Sequence, residues 1–239
     1  MRASSTDRAI ICPASLVRPQ SGERSKASIK AADWGTLVHN WKETGDTRGN
    51  KTLNKKLAAS GIDRARLWPT IGDSHGHETT FSICLETLQL RIWSSSGSKY
   101  SRDHWKRRHP KRSYLTGSID WLSTVSRKDL PELPWVDDLK TGAWPISART
   151  SAQLRSYALV PWVLSGCDTD VWVSITQWPK YRLDCRPKRN WHLLKSVDLA
   201  KHVQKLRWAT SNTSKAIPTE DGCKFCLSKP NCKEYQEAN

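Results

Sequence analysis

GSIDWLSTVSRKDLPELPWVDDLKTG, residues 117–142, decides how the chain is read. β-Branched and aromatic residues gather towards its ends, and a polar, proline-containing stretch, SRKDLPELP (126–134), lies between them. This pattern predicts two strands, Tyr114 to Ser123 and Trp135 to Leu139, joined as a hairpin. With the turn centred on Asp129, Asp120 and Asp138 are equidistant from it and face each other across the antiparallel pair. Opposed carboxylates repel unless a cation lies between them. Alternation along the strand puts Asp138 and Lys140 on one face and turns Asp137 to the other. Mg²⁺ or Mn²⁺ suits the gap, taking one oxygen each from Asp120 and Asp138, the Leu139 carbonyl and waters. Lys140 would then orient or deprotonate a water on that ion for attack at phosphorus.

Working outward, residues 147–164 read as a helix capped by Ser147, apolar through Leu154, Tyr157, Ala158 and 160–164, with Pro161 in the last turn and Gly166 as the stop. Gln153 and Tyr157 stand four apart and share one face of it, where they would meet a phosphate or the attacking water. Upstream, Lys26 to Lys42 has helical spacing, and its GTLVH (35–39) supplies His39 as a further metal ligand. A short helix follows at Lys51 to Ser60, then strands at His77 to Glu86 and Leu88 to Trp93. HWKRRHPKRS (104–113) reads as a loop. DTDVWVSITQW (168–178) alternates as a strand, Ser196 to Thr210 reads as the final helix, and residues 211–239 form an irregular tail. The expected fold is α/β, a small mixed sheet flanked by helices.

The composition bounds the partners. Of 239 residues, 39 are Lys or Arg and 23 Asp or Glu, a formal charge of 39 − 23 = +16. Mean hydropathy is low at −0.66, but 13 Trp supply the large apolar units of a folded core. One domain spanning 1–239 is expected. No stretch has the length of a membrane span, and MRASSTDRAIICPASL has too short an apolar core for a secretory signal, so the expected location is cytoplasmic, with no membrane partner. The positive charge favours nucleic acid as the partner. Two basic segments mix cations with Trp, as a surface that binds phosphates and stacks bases would. The first carries Lys106, Arg107, Arg108, Lys111 and Arg112; the second, RLDCRPKRNW (182–191), carries Arg186, Lys188 and Arg189. GDTRGNKT (45–52) fails the glycine spacing of a phosphate loop, so no ATP site is expected.

Seven cysteines in such a chain are expected to hold a metal or remain thiols. Cys223, Cys226 and Cys232 form a compact set that Cys12 would complete, bringing residues 10–20 to residues 211–239. Four thiolates suit an iron–sulfur cluster or structural zinc, and spacing does not separate the two. Cys84, Cys167 and Cys185 read as buried apolar thiols.

GTLVH (35–39), GSIDWL (117–122), VDDLKTG (136–142) and QLRSY (153–157) together resemble the PD-(D/E)XK nuclease superfamily, in its RecB-like branch, over most of the chain. The resemblance implies a restriction-endonuclease-like core and a Mg²⁺- or Mn²⁺-dependent DNA nuclease, an exonuclease before an endonuclease. Its site residues would be His39, Asp120, Asp138, Lys140, Gln153 and Tyr157. Some RecB-like nucleases, among them phage exonucleases and CRISPR adaptation nucleases, carry one Cys before these motifs and three after. This resemblance implies a structural [4Fe-4S] cluster on Cys12, Cys223, Cys226 and Cys232 that holds the tail as a lid. It further implies DNA as partner and, in recombination or adaptation, a partner protein. A non-catalytic nucleic-acid-binding protein with a structural metal, and a sequence-specific endonuclease, remain open readings.

Overall fold

The computed structural model describes residues 1–18, 22, 25–61, 76–93, 112–127, 129–142, 144–178, 187–223 and 226–238. Its centre is a six-stranded sheet of β1 (Gly76–Cys84), β2 (Leu90–Trp93), β3 (Tyr114–Val125), β4 (Leu133–Lys140), β5 (Val171–Gln177) and β6 (Lys188–Leu194), ordered β2-β1-β3-β4-β5-β6. Every neighbouring pair is antiparallel except β4 with β5. Parallel neighbours need a crossover, and a helix, Ala152–Leu164, supplies it. The fold is therefore α/β with a mixed sheet flanked by helices.

The helices, in chain order, are α1 (Thr6–Ile11), α2 (Lys26–Thr44), α3 (Lys51–Ser60), α4 (Ala152–Leu164), α5 (Ser196–Ser211), α6 (Glu220–Cys223) and α7 (Lys233–Glu237). Four differ from the sequence reading. α4 begins at Ala152, because Ser151 rather than Ser147 caps it: Ser151 Oγ accepts the Leu154 N–H at 3.2 Å. The N-terminal α1 had no helical signal of its own length to read, and the tail contains α6 and α7. Part of the second basic segment is a strand that the sequence reading left unassigned: Lys188–Leu194 is the edge strand β6, paired with β5. Its first residues are cationic, which an edge tolerates and a central strand would not.

β5 shows how the two sheet faces are filled. Val171, Val173 and Ile175 pack under α4 and α5 with Leu154, Ala158, Leu199 and Leu206. Trp172 points the other way, into a cluster with Trp34, Val38 and Trp41 of α2, Leu53 of α3, and Trp121, Trp135, Leu139 and Trp178. A Trp buries roughly 200 Å², worth about 5 kcal/mol each at 25 cal/mol per Å² before ordering costs. These six Trp explain how a chain of low mean hydropathy closes a second core on this face of the sheet.

In the β3–β4 hairpin the pairs run from Val125↔Leu133 to Trp121↔Asp137, all centred on Asp129, which takes the left-handed conformation (φ 60°). Asp120 and Asp138 come next, just beyond the last ladder pair. Strict alternation breaks there: Ile119 lies in the core under α4, whereas Trp121, two residues on, lies in the tryptophan core. Among the described residues no helix is long and apolar enough to cross a membrane.

Candidate active site

The polar end of the hairpin meets the first turns of α4. Lys140 Nζ stands 2.7 Å from Asp138 Oδ2 and donates to Gln153 Oε1 at 3.0 Å. Gln153 Nε2 in turn donates to Tyr157 Oη at 2.7 Å. Asp138, Lys140, Gln153 and Tyr157 thus form one continuous polar chain. The start of α4 is anchored from outside, since Asp7 of α1 accepts the Ala152 and Gln153 N–H groups at 2.9 and 3.3 Å.

Asp120 enters from β3. Its Oδ2 accepts the Leu139 N–H at 2.7 Å, and its Oδ1 lies 3.4 Å from His39 Nδ1. The other imidazole nitrogen lies 3.2 Å from the Leu139 carbonyl. The sequence-predicted ligands His39, Asp120, Asp138 and Leu139 are therefore brought together. Their carboxylates are turned to the protein's own donors, and among the described residues no group of three or more His, Cys, Asp or Glu is arranged to hold a metal ion.

Lys42 was not singled out in the sequence. Three residues past His39 on α2, it is buried and donates to the Asp120 carbonyl at 2.7 Å. Buried Lys is rare without a task; here it pins the strand where alternation breaks. The i, i+3 relation to His39 was the available signal, hidden because a Lys near a helix end usually reads as solvated.

The two acids have opposite electrostatics. Burial works against ionisation of Asp120, but the His39 imidazole, Lys42 and the Leu139 N–H outweigh it and hold its carboxyl well below the usual range. For Asp138, burial outweighs Lys140 and, with the charge of Asp120, pushes the carboxyl up to about 6. Among the described residues its side chain pairs with Lys140, and Oδ2 makes no well-aligned hydrogen bond. A buried pair of acids with one strained against ionisation is short of positive charge.

Asp137 does different work. It points to the tryptophan face, where Ser174 and Thr176 donate to it, the latter at 2.7 Å. Arg189 joins that face, with Nε 2.7 Å from Thr176 Oγ1 and its guanidinium 5.2 Å from the Trp135 ring. Of the other predicted phosphate-binding cations, Arg112 and Lys188 are exposed, while Lys106, Arg107, Arg108, Lys111 and Arg186 lie outside the described residues.

Two motif glycines are explained by close approach. A Cβ on Gly117 would sit 3.0 Å from the Tyr157 ring and 2.9 Å from Phe81, so only Gly lets α4 bring Tyr157 to the sheet. A Cβ on Gly35 would meet Thr141 Oγ1 at 3.1 Å, beside Lys140.

After Lys140 the chain turns through Trp144, whose indole is 81% exposed. The turn is held from below: Gln177 Nε2 donates to the Gly142 and Trp144 carbonyls at 2.8 and 3.1 Å, and its Oε1 accepts the Ile146 N–H. An exposed Trp on a braced loop was legible only as a Trp close to the Lys.

Away from this site, Cys12, Cys223, Cys226 and Cys232 line one cavity with Arg18. All four are free thiols. Arg18 Nη1 donates to Cys232 Sγ at 2.8 Å, and the Ile217 N–H to Cys12 Sγ at 3.4 Å. By donor type, though not by their arrangement here, four thiols suit either four-thiolate group. Cys84 is buried and Cys167 half-buried, whereas Cys185 lies outside the described residues.

No family model matches the sequence, and no curated protein matches it at a significant level. Among solved structures, the crystal structure of SSO0001 aligns with TM-score 0.43 and 10% identity, covering 98% of this chain and 86% of that one. A likeness of that order leaves function to the site itself.

Proposed function

We propose that the protein is a Mg²⁺- or Mn²⁺-dependent DNA nuclease of the PD-(D/E)XK type, RecB-like branch, acting as an exonuclease. The observation that carries this is the buried Asp138 carboxylate, raised to about 6 beside a second buried acid and joined to Lys140, Gln153 and Tyr157. Asp120, Asp138, the Leu139 carbonyl and His39 would hold the cation. When bound there, it supplies positive charge to the scissile phosphate and lowers the pKa of water. Lys140, held by Asp138 and Gln153, is placed to orient the attacking water or take its proton. Gln153 and Tyr157 position a phosphate oxygen, and Trp144 offers a flat face to a base next to the cut. Cys12, Cys223, Cys226 and Cys232 would hold a [4Fe-4S] cluster whose role is structural, with zinc as the alternative.

The test is incubation of anaerobically purified protein with DNA labelled at the 5′ or 3′ end, in Mn²⁺, Mg²⁺ or EDTA. Cleavage by the wild type with either metal, lost in EDTA and in Asp138→Ala, is expected, progressing from an end. Intact DNA under every metal, or full activity in Asp138→Ala, would defeat the reading; defined internal cuts in a closed circle would make it an endonuclease.

A further inference from the structure

A groove of about 1130 Å³ lies between α1, the first turn of α4 and α5. It shares that turn with the candidate site: Ala152 and Arg155 line the groove, while Gln153, between them, reaches Lys140. Four cations face it, Arg149, Arg155, Lys201 and Lys205, and none forms an ion pair among the described residues. Of its two acids, Asp7 has both oxygens engaged by the N–H groups at the start of α4, and Asp198 sits in the first turn of α5. Like charges in one concavity repel and raise the local potential; an anionic chain relieves both.

The arrangement is linear. Lys201, Lys205 and Trp208 belong to one stripe of α5 at i, i+4 and i+7, which spaces the two Lys about 6 Å apart along the axis and Trp208 about 10 Å from Lys201. Trp208 is 40% exposed at the groove. Arg149 is presented by a fixed turn, because the Asn190 side chain accepts the Ala148 N–H at 2.6 Å and Ser147 Oγ accepts the Arg149 N–H at 3.2 Å. Burial, with Arg155 and Arg149 adding to it, holds the groove's His192 below its ordinary range, so the four side chains are its cations.

We propose that this groove binds a single strand of nucleic acid, with phosphates on Arg149, Arg155, Lys201 and Lys205 and an unpaired base on Trp208. An acidic peptide would satisfy the cations but leave the indole without a role, and a duplex offers no free base face in mid-strand. Cations interleaved with an aromatic platform are what a single strand requires. The shared turn of α4 makes the groove the path by which a strand enters or leaves the candidate site. The inference deepens the nuclease reading and rests on it for that path, but binding is measured without metal and is independent of cleavage.

The experiment is fluorescence anisotropy of labelled oligothymidylate, about 12 nucleotides long, in EDTA over a range of salt. Lys201→Gln/Lys205→Gln is expected to weaken binding about tenfold and to flatten the slope of log affinity against log salt by about 1.4. Trp208→Ala is expected to weaken it about fivefold with the slope kept. The two variants change different chemistry, so a fold defect in one, seen as a lower melting temperature, leaves the other to decide. Affinities within about twofold of wild type in both overturn the proposal. So does inorganic polyphosphate competing as well as the oligonucleotide while Trp208→Ala is silent, since the groove would then read charge alone. Failure of the nuclease reading has a different signature, uncut DNA in Mn²⁺ with binding intact.

Discussion

Asp138 carries a charge that folding disfavours. It is buried, its carboxyl is raised to about 6, and the ordinary value is near 4. Between those pH values the folded chain holds a proton that the unfolded chain has released, so this group's contribution to stability declines as pH rises from about 4 to about 6 and stays lowered above. Asp120 has the opposite sign: its carboxyl is lowered, and its contribution is present at neutral pH and lost on acidification. Asp138→Asn keeps the shape, leaves Lys140 on Gln153, and removes the disfavoured charge. In EDTA at pH 8 the variant is expected to melt a few degrees above wild type, at roughly 2–4 °C per kcal/mol for a chain of this size, and the gain should vanish near pH 4. Mn²⁺ should raise the melting temperature of wild type and not of the variant. An Asn variant less stable than wild type at pH 8 would mean that Lys140 already compensates the charge, and the case for a cation site there would fall.

At the level of elements, what the sequence made legible was whatever a short repeat encodes. The hairpin, its centre at Asp129 and the opposite directions of Asp137 and Asp138 follow from a period of two. The partnership of Gln153 with Tyr157 follows from a period near four. What escaped depended on contacts between distant segments: Lys42 reaching Asp120, Asp7 bracing α4, and β6 concealed behind its cationic first residues. The loop after β4 is a case of the same kind, since its shape depends on Gln177, 35 residues away. Gln177→Ala removes three hydrogen bonds from a loop that packs little, so the fold should melt almost as wild type. The loop should then no longer hold Trp144 still, and cleavage efficiency on DNA is expected to fall about tenfold, as small misplacements do. Turnover of a small phosphodiester too short to reach Trp144 should not change. Equal losses on both substrates would instead place Gln177 in support of Lys140.

For the whole molecule, the decisive feature is that residues near the start of the chain are sewn to residues near its end. Ala14 N–H donates to the Lys215 carbonyl at 3.0 Å, Gly22 N–H to the Leu227 carbonyl at 2.7 Å, and Arg18 grips both Cys232 and Glu234. These segments are short and carry little core of their own: α6 has four residues and α7 five. A few hydrogen bonds, worth about 1 kcal/mol each, hold such segments weakly; a four-thiolate centre would fix them. Cys12 and Ile217, in contact there, are 205 residues apart, and a covalent tie across a loop of that order withdraws about 5 kcal/mol of entropy from the unfolded chain. On the cluster reading, Cys12→Ser is therefore expected to abolish iron binding and the visible absorbance it gives, to lower the melting temperature by about 10–20 °C on the scale above, and to open residues 211–239 to protease first. The sheet should melt later, because its two cores contain none of the four cysteines. Retention of stoichiometric zinc without iron in the wild type would replace the cluster by zinc and keep the tie. Unchanged melting and protection in Cys12→Ser would show that the hydrogen bonds alone suffice, and the four cysteines would lose their structural role.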